Sequence, residues 1–200
     1  MHTRAVPDVS RTRSTSTDAI LDVAADLFAR RPFHEVKLDD IAAGARVGKG
    51  TLYLYWSSKE QVYLAIIRRG FARVLARVDD ELATHRGGSR QKLEAIVTAL
   101  IDFAFGHPEV YRIMRSGALT PEDPDLQRVR AELVTRIVRV LKQGRSSGEF
   151  DDPCPALTAQ YILSFVRGAL LYPPPGLTKR SLKRHILRVL YRGIMPGGRR

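Results

Sequence analysis

The chain has 200 residues and a mass of 22.4 kDa, which is enough to bury a hydrophobic core without disulfide or metal support. Its 33 Lys and Arg outnumber its 21 Asp and Glu, so the net charge is +12 and an anionic partner such as nucleic acid is the first to consider. A single cysteine excludes a disulfide framework. With no secretory signal pattern and no run of ~18 apolar residues, we expect a cytoplasmic protein without a membrane span.

The positive charge is unevenly distributed along the chain. Residues 1–56 contain eight basic and seven acidic side chains, a net charge of +1, so residues 57–200 carry +11. Residues 179–200 alone have eight basic side chains and no acidic one. A DNA site in the N-terminal part would therefore depend on a few well-placed cations rather than on a uniformly basic surface.

Helical periodicity recurs along the chain and strand patterns are hard to find, so we predict an all-α fold of about nine helices. Residues 1–14 are polar, include Pro7 and lack an apolar period, which indicates a disordered arm. The first helix follows from residue 15, with Ile20, Ala24 and Phe28 on one face. It ends before Pro32, because the residue ahead of a proline disfavours the helical conformation.

Two short helices come next, over residues 38–43 and 49–56, with a break at residues 44–48. Ser57 and Ser58 are predicted to cap a longer helix that runs to about Leu82 and is long enough to link two domains. Residues 85–89 have the composition of a linker. Beyond them the pattern predicts helices at about 90–105, 109–116, 124–145, 156–171 and 179–194.

The two short helices are typical of a helix-turn-helix, whose second helix must be short so that its N-terminal end can enter the ~12 Å major groove. Helical spacing predicts that Leu52 and Trp56 pack inward. The residues then left for the DNA side are Lys49, Thr51, Tyr53 and Tyr55, with Gly50 allowing close backbone approach. The alternative for the two tyrosines is that they are core aromatics of a small bundle.

At these residues the sequence resembles the tetracycline-repressor (TetR) family of bacterial regulators. The resemblance rests on LDDIA at residues 38–42 and on GTLYLYWSSKE at residues 50–60, and it extends over residues 15–67. It implies an N-terminal three-helix helix-turn-helix domain, at residues 15–58. A C-terminal helical bundle for ligand binding and dimerisation would follow, at residues 59–200. The implied function is a homodimeric transcriptional regulator, a repressor released from a pseudo-palindromic operator by a small-molecule effector.

The resemblance also implies roles for individual residues of the DNA-binding domain. Lys59 would hold a phosphate at the start of its helix, and the residues facing DNA would be Lys49, Gly50, Thr51, Tyr53, Leu54 and Tyr55. The chain departs from the family pattern at Pro32, Lys37, Arg46 and Gly48, where the family often has Gly, Thr, Gly and Ser. We predict that Lys37 and Arg46 compensate as phosphate contacts.

The resemblance places an effector pocket and a dimer interface in the C-terminal bundle. The predicted pocket residues are Phe103, Phe105, Tyr111, Met114, Phe165 and Tyr172, with Asp102, His107, Arg112 and Arg167 near the same faces. The predicted interface residues are Leu157, Tyr161, Ser164, Gly168, Leu171, Leu182, Ile186, Val189 and Leu190. A plain hydrophobic core is the alternative for the pocket residues. No cofactor or metal is expected.

Two other functions compete with this interpretation. One is a non-specific nucleoid or membrane-surface binder that uses the basic C-terminal half. The other is a helical small-molecule carrier or enzyme, although the sequence has no H-E-x-x-H, G-x-S-x-G or phosphate-binding glycine motif, so we expect no catalysis. A base-specific footprint would separate a sequence-specific regulator from the first of these.

Overall fold

The computed structural model describes residues 9–84, 86–108, 110–111 and 124–195, and the regular structure in these residues is entirely helical. The helices are α1 (Val9–Arg30), α2 (Leu38–Gly44), α3 (Lys49–Tyr55), α4 (Lys59–Thr84), α5 (Ser89–Gly106), α6 (Pro124–Ser146), α7 (Pro155–Leu171) and α8 (Lys179–Ile194), with a 3-10 turn at Phe33–Glu35. The all-α prediction is confirmed. Most of the helix predicted over residues 109–116, including Arg112 and Met114, lies outside the described residues.

Helix α1 begins at Val9, inside the stretch that the sequence assigned to a disordered arm. Residues 9–30 contain neither Gly nor Pro, so no residue interrupts the helical backbone until Pro32. The helix start predicted at residue 15 therefore lies within α1. The first eight residues of the predicted arm lie outside the described residues.

The chain divides into two compact units between Ile66 and Ile67, within α4. The first unit has its own core, which buries Ile20, Ile41 and Leu52 completely. Phe28 and Phe33 stack at 5.5 Å between ring centroids, and the Tyr63 ring meets both edge-on at 5.5 and 5.3 Å. Aromatic pairs in these geometries stabilise a fold beyond the area that they bury.

Helix α2 ends in a glycine that lies against α1. A Cβ added to Gly44 would come within 2.7 Å of Val23 Cγ1, which is closer than real side-chain carbons approach. Val23 is β-branched and has little rotamer freedom in a helix. The glycine therefore permits α1 and α2 to pack at the distance that the helix-turn-helix requires.

The second unit is built around α5, which packs against α6, α7 and α8. A helix surrounded in this way is apolar on several faces rather than on one. Among the helices that the structure describes, none has the length and hydrophobicity needed to cross a bilayer. The buried side chains of α5 include Leu93, Ile96, Val97, Leu100 and Ile101.

Three residues of α8 that were predicted to lie in a dimer interface are instead buried in the subunit core. Leu182, Ile186 and Leu190 are each at most 5% exposed and belong to the core of their own chain. They recur every fourth residue and so form one stripe, which lies against α5 and α7. The amphipathic pattern predicted a buried stripe correctly, but its partner is the same chain rather than a second copy.

The end of α6 meets the start of α5 at a closely packed junction. A Cβ on Gly144 would lie 2.2 Å from Phe150 Cδ2 and 2.9 Å from Ser89 Cβ. Beside it, the Glu149 carboxylate accepts hydrogen bonds from the backbone N–H groups of Ser89 and Arg90 at 3.0 and 3.1 Å. These bonds hold the pKa of Glu149 below its usual value and satisfy free donors at the N-terminus of α5.

We expect Gly144→Ala to lower the free energy of unfolding by about 1–3 kcal/mol, because the added methyl group overpacks the junction against the buried ring of Phe150. The matched control is Gly106→Ala, since a Cβ there meets nothing within 4 Å. Alanine at Gly106 should be neutral or slightly stabilising, because it has the higher helix propensity. Urea unfolding of both variants tests this, and equal stabilities would contradict it.

Candidate nucleic-acid interface

The turn between α2 and α3 is closed by backbone hydrogen bonds. The N–H of Val47 donates to the carbonyl of Ala42 at 3.0 Å, and the N–H of Arg46 donates to that of Ala43 at 3.1 Å. This is the Schellman pattern, in which one residue takes a left-handed conformation. Here that residue is Arg46, with φ of 56°, where a non-glycine side chain costs roughly 1–2 kcal/mol.

Helix α3 separates a buried side from an exposed one. Leu52 is fully buried and Trp56 is in the same core, which confirms that both pack inward. Tyr53 is 50% exposed and Leu54 is 83% exposed. Tyr55 is half-buried, with its ring centroid 5.5 Å from that of Trp56. The remaining predicted DNA-facing residues of α3, all exposed, are Lys49, Gly50 and Thr51.

Lys49 is held by the carboxylate of Asp39, ten residues before it in the chain. Its Nζ donates to Asp39 Oδ2 at 2.6 Å, which links the first turn of α3 to the first turn of α2. This hydrogen bond raises the pKa of Lys49, so the ammonium stays charged. The side chain is also largely exposed, so a phosphate could approach it. Because the ammonium is paired with Asp39, contact with a phosphate requires Lys49 to share its protons between the two anions or to give up the ion pair.

Lys37 and Arg46 are the two residues predicted to compensate as contacts to DNA phosphates. Both side chains are exposed, and no ion pair engages either of them within the described part of the chain. The backbone N–H of Lys37 donates to Asp40 Oδ2 at 3.4 Å, and Arg31 Nη1 donates to the same oxygen at 3.0 Å. The start of α2 is therefore fixed while the ammonium of Lys37 remains available.

Lys59, predicted to contact a phosphate, has hydrogen-bond partners within its own chain. Its Nζ donates to the backbone carbonyls of Phe33, His34 and Val36 at 2.9, 3.2 and 3.3 Å, and it lies 4.6 Å from the centroid of the Phe33 ring. An ammonium has three protons, and three carbonyls accept them. The structure therefore assigns Lys59 to holding the 3-10 turn against the start of α4.

We expect Lys59→Met to lower the free energy of unfolding by about 1.5–3 kcal/mol, because it removes charge-assisted hydrogen bonds to partly buried carbonyls. Lys37→Met is the control, since an exposed side chain without partners should change stability by only about 0.5 kcal/mol. Chemical denaturation measures both. A Lys59→Met variant of unchanged stability and reduced DNA affinity would restore the phosphate role.

The start of α4 carries the predicted cap. Ser58 Oγ accepts a hydrogen bond from the N–H of Gln61 at 3.3 Å, and Gln61 Oε1 accepts one from the N–H of Ser57 at 2.8 Å. The exchange satisfies donors at the helix N-terminus in the manner of a capping box. It confirms Ser58 as the cap, whereas Ser57 donates to Gln61 instead of accepting from the helix, and it fixes the boundary between α3 and α4.

The second unit contains a cavity of about 140 Å³ lined by residues of α4, α5, α6 and α7 and by Val110 and Tyr111, which follow α5. Phe103 and Tyr111 line it, as predicted, and so do Ser164 and Arg167. The other wall residues are Gly70, Phe71, Val74, Leu100, Val110, Arg130, Leu133, Leu163 and Val166. Arg130, Gly70 and Phe71 were not anticipated, because nothing in their local sequence distinguishes them from ordinary helix residues.

Three predicted pocket residues do not line this cavity. Phe105 and Phe165 fall on the sides of α5 and α7 opposite the wall residues, because helical periodicity places them about half a turn away. Tyr172 follows the end of α7 and is 78% exposed. Asp102 forms an ion pair with Lys179 at 3.0 Å, and His107 packs its ring on Phe103. Met114 lies outside the described residues.

The α7 part of the predicted dimer interface is exposed. Leu157 and Tyr161 are 46% and 49% exposed, and Phe165 and Val189 are also exposed. A Cβ added to Gly168 would meet nothing within 4 Å. Leu171 is half-buried, and Ser164 is exposed on the edge of the cavity. These residues form an apolar face without a partner in the described part of the chain.

Comparisons with known proteins agree with this arrangement. The family model described as "Bacterial regulatory proteins, tetR family" matches residues 20–66, and that described as "Tetracyclin repressor-like, C-terminal domain" matches residues 86–194. The mycofactocin biosynthesis transcriptional regulator MftR of Mycobacterium tuberculosis is 30% identical over 165 residues, covering 80% of this chain and 81% of MftR.

Two further proteins are similar over different lengths. The transcriptional activator FasR of Mycolicibacterium smegmatis is 35% identical over 95 residues, which are 48% of this chain and only 43% of FasR. The structure of the regulator FadR from Bacillus subtilis, solved in complex with stearoyl-CoA, superposes with a TM-score of 0.77 at 17% identity. That match covers 88% of this chain and 98% of FadR, and at this identity it shows a shared fold.

Proposed function

Since this chain belongs to the tetR family of bacterial transcriptional regulators, we propose that it binds an operator through α2 and α3 and is released when a small molecule fills the cavity of its second unit. The observation that carries the DNA-binding half is the exposed side of α3, where Tyr53 and Leu54 face solvent while Leu52 and Trp56 anchor the helix. Exposed aromatic and apolar groups on a short helix suit the edges of bases in a major groove.

The cations around α3 support this proposal. Arg46 and Lys37 lie at the turn and at the start of α2, where side chains of a helix-turn-helix reach phosphates. Phosphate contacts position a protein on the duplex, whereas contacts to base edges specify the sequence. We therefore propose that Lys37, Arg46 and Lys49 orient the domain on the backbone. The residues of α3 that read bases would be Gly50, Thr51, Tyr53, Leu54 and Tyr55.

We propose that a second copy of the chain packs on the exposed apolar face of α7. A groove of about 290 Å³ runs along it, with Leu157, Tyr161 and Val189 among its walls. Asp152 lies at one end and is 1% exposed. Its Oδ1 accepts a hydrogen bond from the N–H of Cys154, but Oδ2 has no partner in the described residues. An exposed apolar groove of this kind suits the self-complementary contact that two copies of a chain make about a two-fold axis.

The coupling between effector and operator would run along α4. This helix contributes Tyr63 and Ile66 to the core of the first unit and Phe71 and Val74 to the cavity wall of the second. An effector that prefers a conformation with poorly spaced recognition helices must weaken DNA binding by the factor by which DNA weakens effector binding. Named relatives include an activator, so repression is the proposal to be tested.

The test is footprinting of the purified protein on its own upstream DNA, with a Lys49→Ala/Tyr53→Ala variant alongside. We expect a discrete protected site with two-fold symmetry that the variant does not protect. Uniform protection that the variant retains would contradict the proposal and favour a non-specific role for the basic second unit. A promoter–reporter assay with and without the protein then distinguishes repression from activation. We propose no catalytic step at the cavity.

A further inference from the structure

We infer that the ligand of the cavity is a small amphipathic carboxylate, with an aryl or short alkyl group enclosed by the apolar walls and a carboxylate held by Arg167 and Tyr111. This inference rests on the proposed function in one respect, because it names the chemical class of the effector. It concerns a direct binding event, so it can be measured without DNA.

The enclosed part of the cavity is apolar and small. Phe71, Val74, Leu100, Phe103 and Leu133 form much of its wall. Its volume is about 140 Å³, close to the roughly 150 Å³ of an apolar cavity that encloses a benzene molecule. An apolar group of roughly six to eight carbons therefore fits, whereas a long acyl chain would require the walls to move.

The charged groups at the cavity are both cationic. Arg130 and Arg167 line it, and no Asp or Glu is among its described wall residues. Arg130 Nη2 donates to Gln160 Oε1 at 2.5 Å, which occupies part of its guanidinium. Arg167 is exposed, and it forms no hydrogen bond or ion pair with the described residues. An unpaired guanidinium beside an apolar cavity favours a carboxylate and repels a cation.

Tyr111 supplies a second donor at the same wall. Burial raises the pKa of Tyr111 to about 12, and the nearby positive charge of Arg167 acts in the opposite direction. The phenol is therefore neutral at physiological pH and keeps its proton for donation. A carboxylate can accept from this O–H and from the guanidinium together, while the apolar part of the ligand points towards Phe103.

The experiment is calorimetric titration of the full chain with hexanoate and phenylacetate, and with hexanamide and phenylacetamide as neutral controls of the same shape. We expect each carboxylate to bind at least roughly tenfold more tightly than its amide, since charge-assisted hydrogen bonds are stronger than neutral ones. Arg167→Gln should remove this preference. Arg139→Gln, which removes an exposed charge on α6 that does not line the cavity, should retain it.

Equal binding of carboxylate and amide, failure of every carboxylate to bind at millimolar concentration, or an unchanged preference in Arg167→Gln would overturn the inference. Tighter binding of dodecanoate than of hexanoate would contradict the inference that the ligand is small. Operator release is followed separately by fluorescence anisotropy. A carboxylate that binds with the expected preference but releases no operator DNA would leave this inference standing and contradict the effector role proposed above.

Discussion

A Tyr53→Ala/Leu54→Ala variant is expected to lose about a hundredfold or more in operator affinity while its unfolding midpoint stays close to that of the parent chain. Both side chains project from α3 into solvent, so their removal takes little from the core. On DNA, each lost contact to a base edge or a thymine methyl group typically costs about 1–3 kcal/mol, and a dimer loses each contact twice. The single substitutions should show intermediate affinities.

The measurement is fluorescence anisotropy at fixed salt on the footprinted operator and on an unrelated duplex. Tyr172→Ala is a matched control, because it removes an even more exposed tyrosine from the second unit. We expect the double variant to bind both duplexes with similar, weak affinity, since its phosphate contacts remain. Operator affinity within about threefold of the parent would exclude α3 as the reading helix.

Replacing Gly168 with Phe is expected to convert the protein to a monomer without unfolding it. Gly168 is exposed and a Cβ added there meets nothing within 4 Å, so we expect the ring to be accommodated at the surface of the isolated subunit. Against a second copy it would hold apart two helices whose axes normally pack 8–10 Å apart. Two linked half-site contacts would then become two independent ones, and operator affinity should fall by roughly 10²–10⁴-fold.

Sedimentation equilibrium and operator binding measure the two consequences. Gly106→Phe provides the matched control, because Gly106 is also a helical glycine with open space around its Cβ, but it is not part of the α7 face. We expect that control to remain dimeric. A Gly168→Phe protein that sediments as a dimer with full operator affinity would show that the exposed face of α7 is not the interface.

Local patterns predicted the helix-turn-helix closely. The ends of α2 and α3 agree with the prediction to within a residue, because Gly44 and the serines at residues 57 and 58 mark them directly in the sequence. The inward positions of Leu52 and Trp56 followed from their spacing alone. These features depend on neighbours a few residues away, so the sequence contains the information needed to place them.

Features that depend on distant partners were not predicted. The carbonyl of Phe33 that accepts from Lys59 is 26 residues away, and only the fold brings it to the ammonium. The spacing of Ile186 and its neighbours on α8 indicated a buried stripe, but an apolar stripe does not identify the chain that covers it. Phe165 is aromatic, as residues of a pocket wall often are, but it lies on the side of α7 that faces away from the cavity.

The ion pair between Lys49 and Asp39 has a consequence for how the protein searches a genome. Each lysine that neutralises a DNA phosphate normally releases one counterion. It therefore contributes about −0.9 to the slope of log affinity against log salt concentration. Lys49 already has an internal counterion, so it should contribute less than this to the slope. Asp39→Asn would then steepen the slope and strengthen binding to any duplex. If Lys49 contacts a phosphate as proposed, its ion pair with Asp39 would also weaken binding to non-operator DNA and shorten the time that the protein spends there.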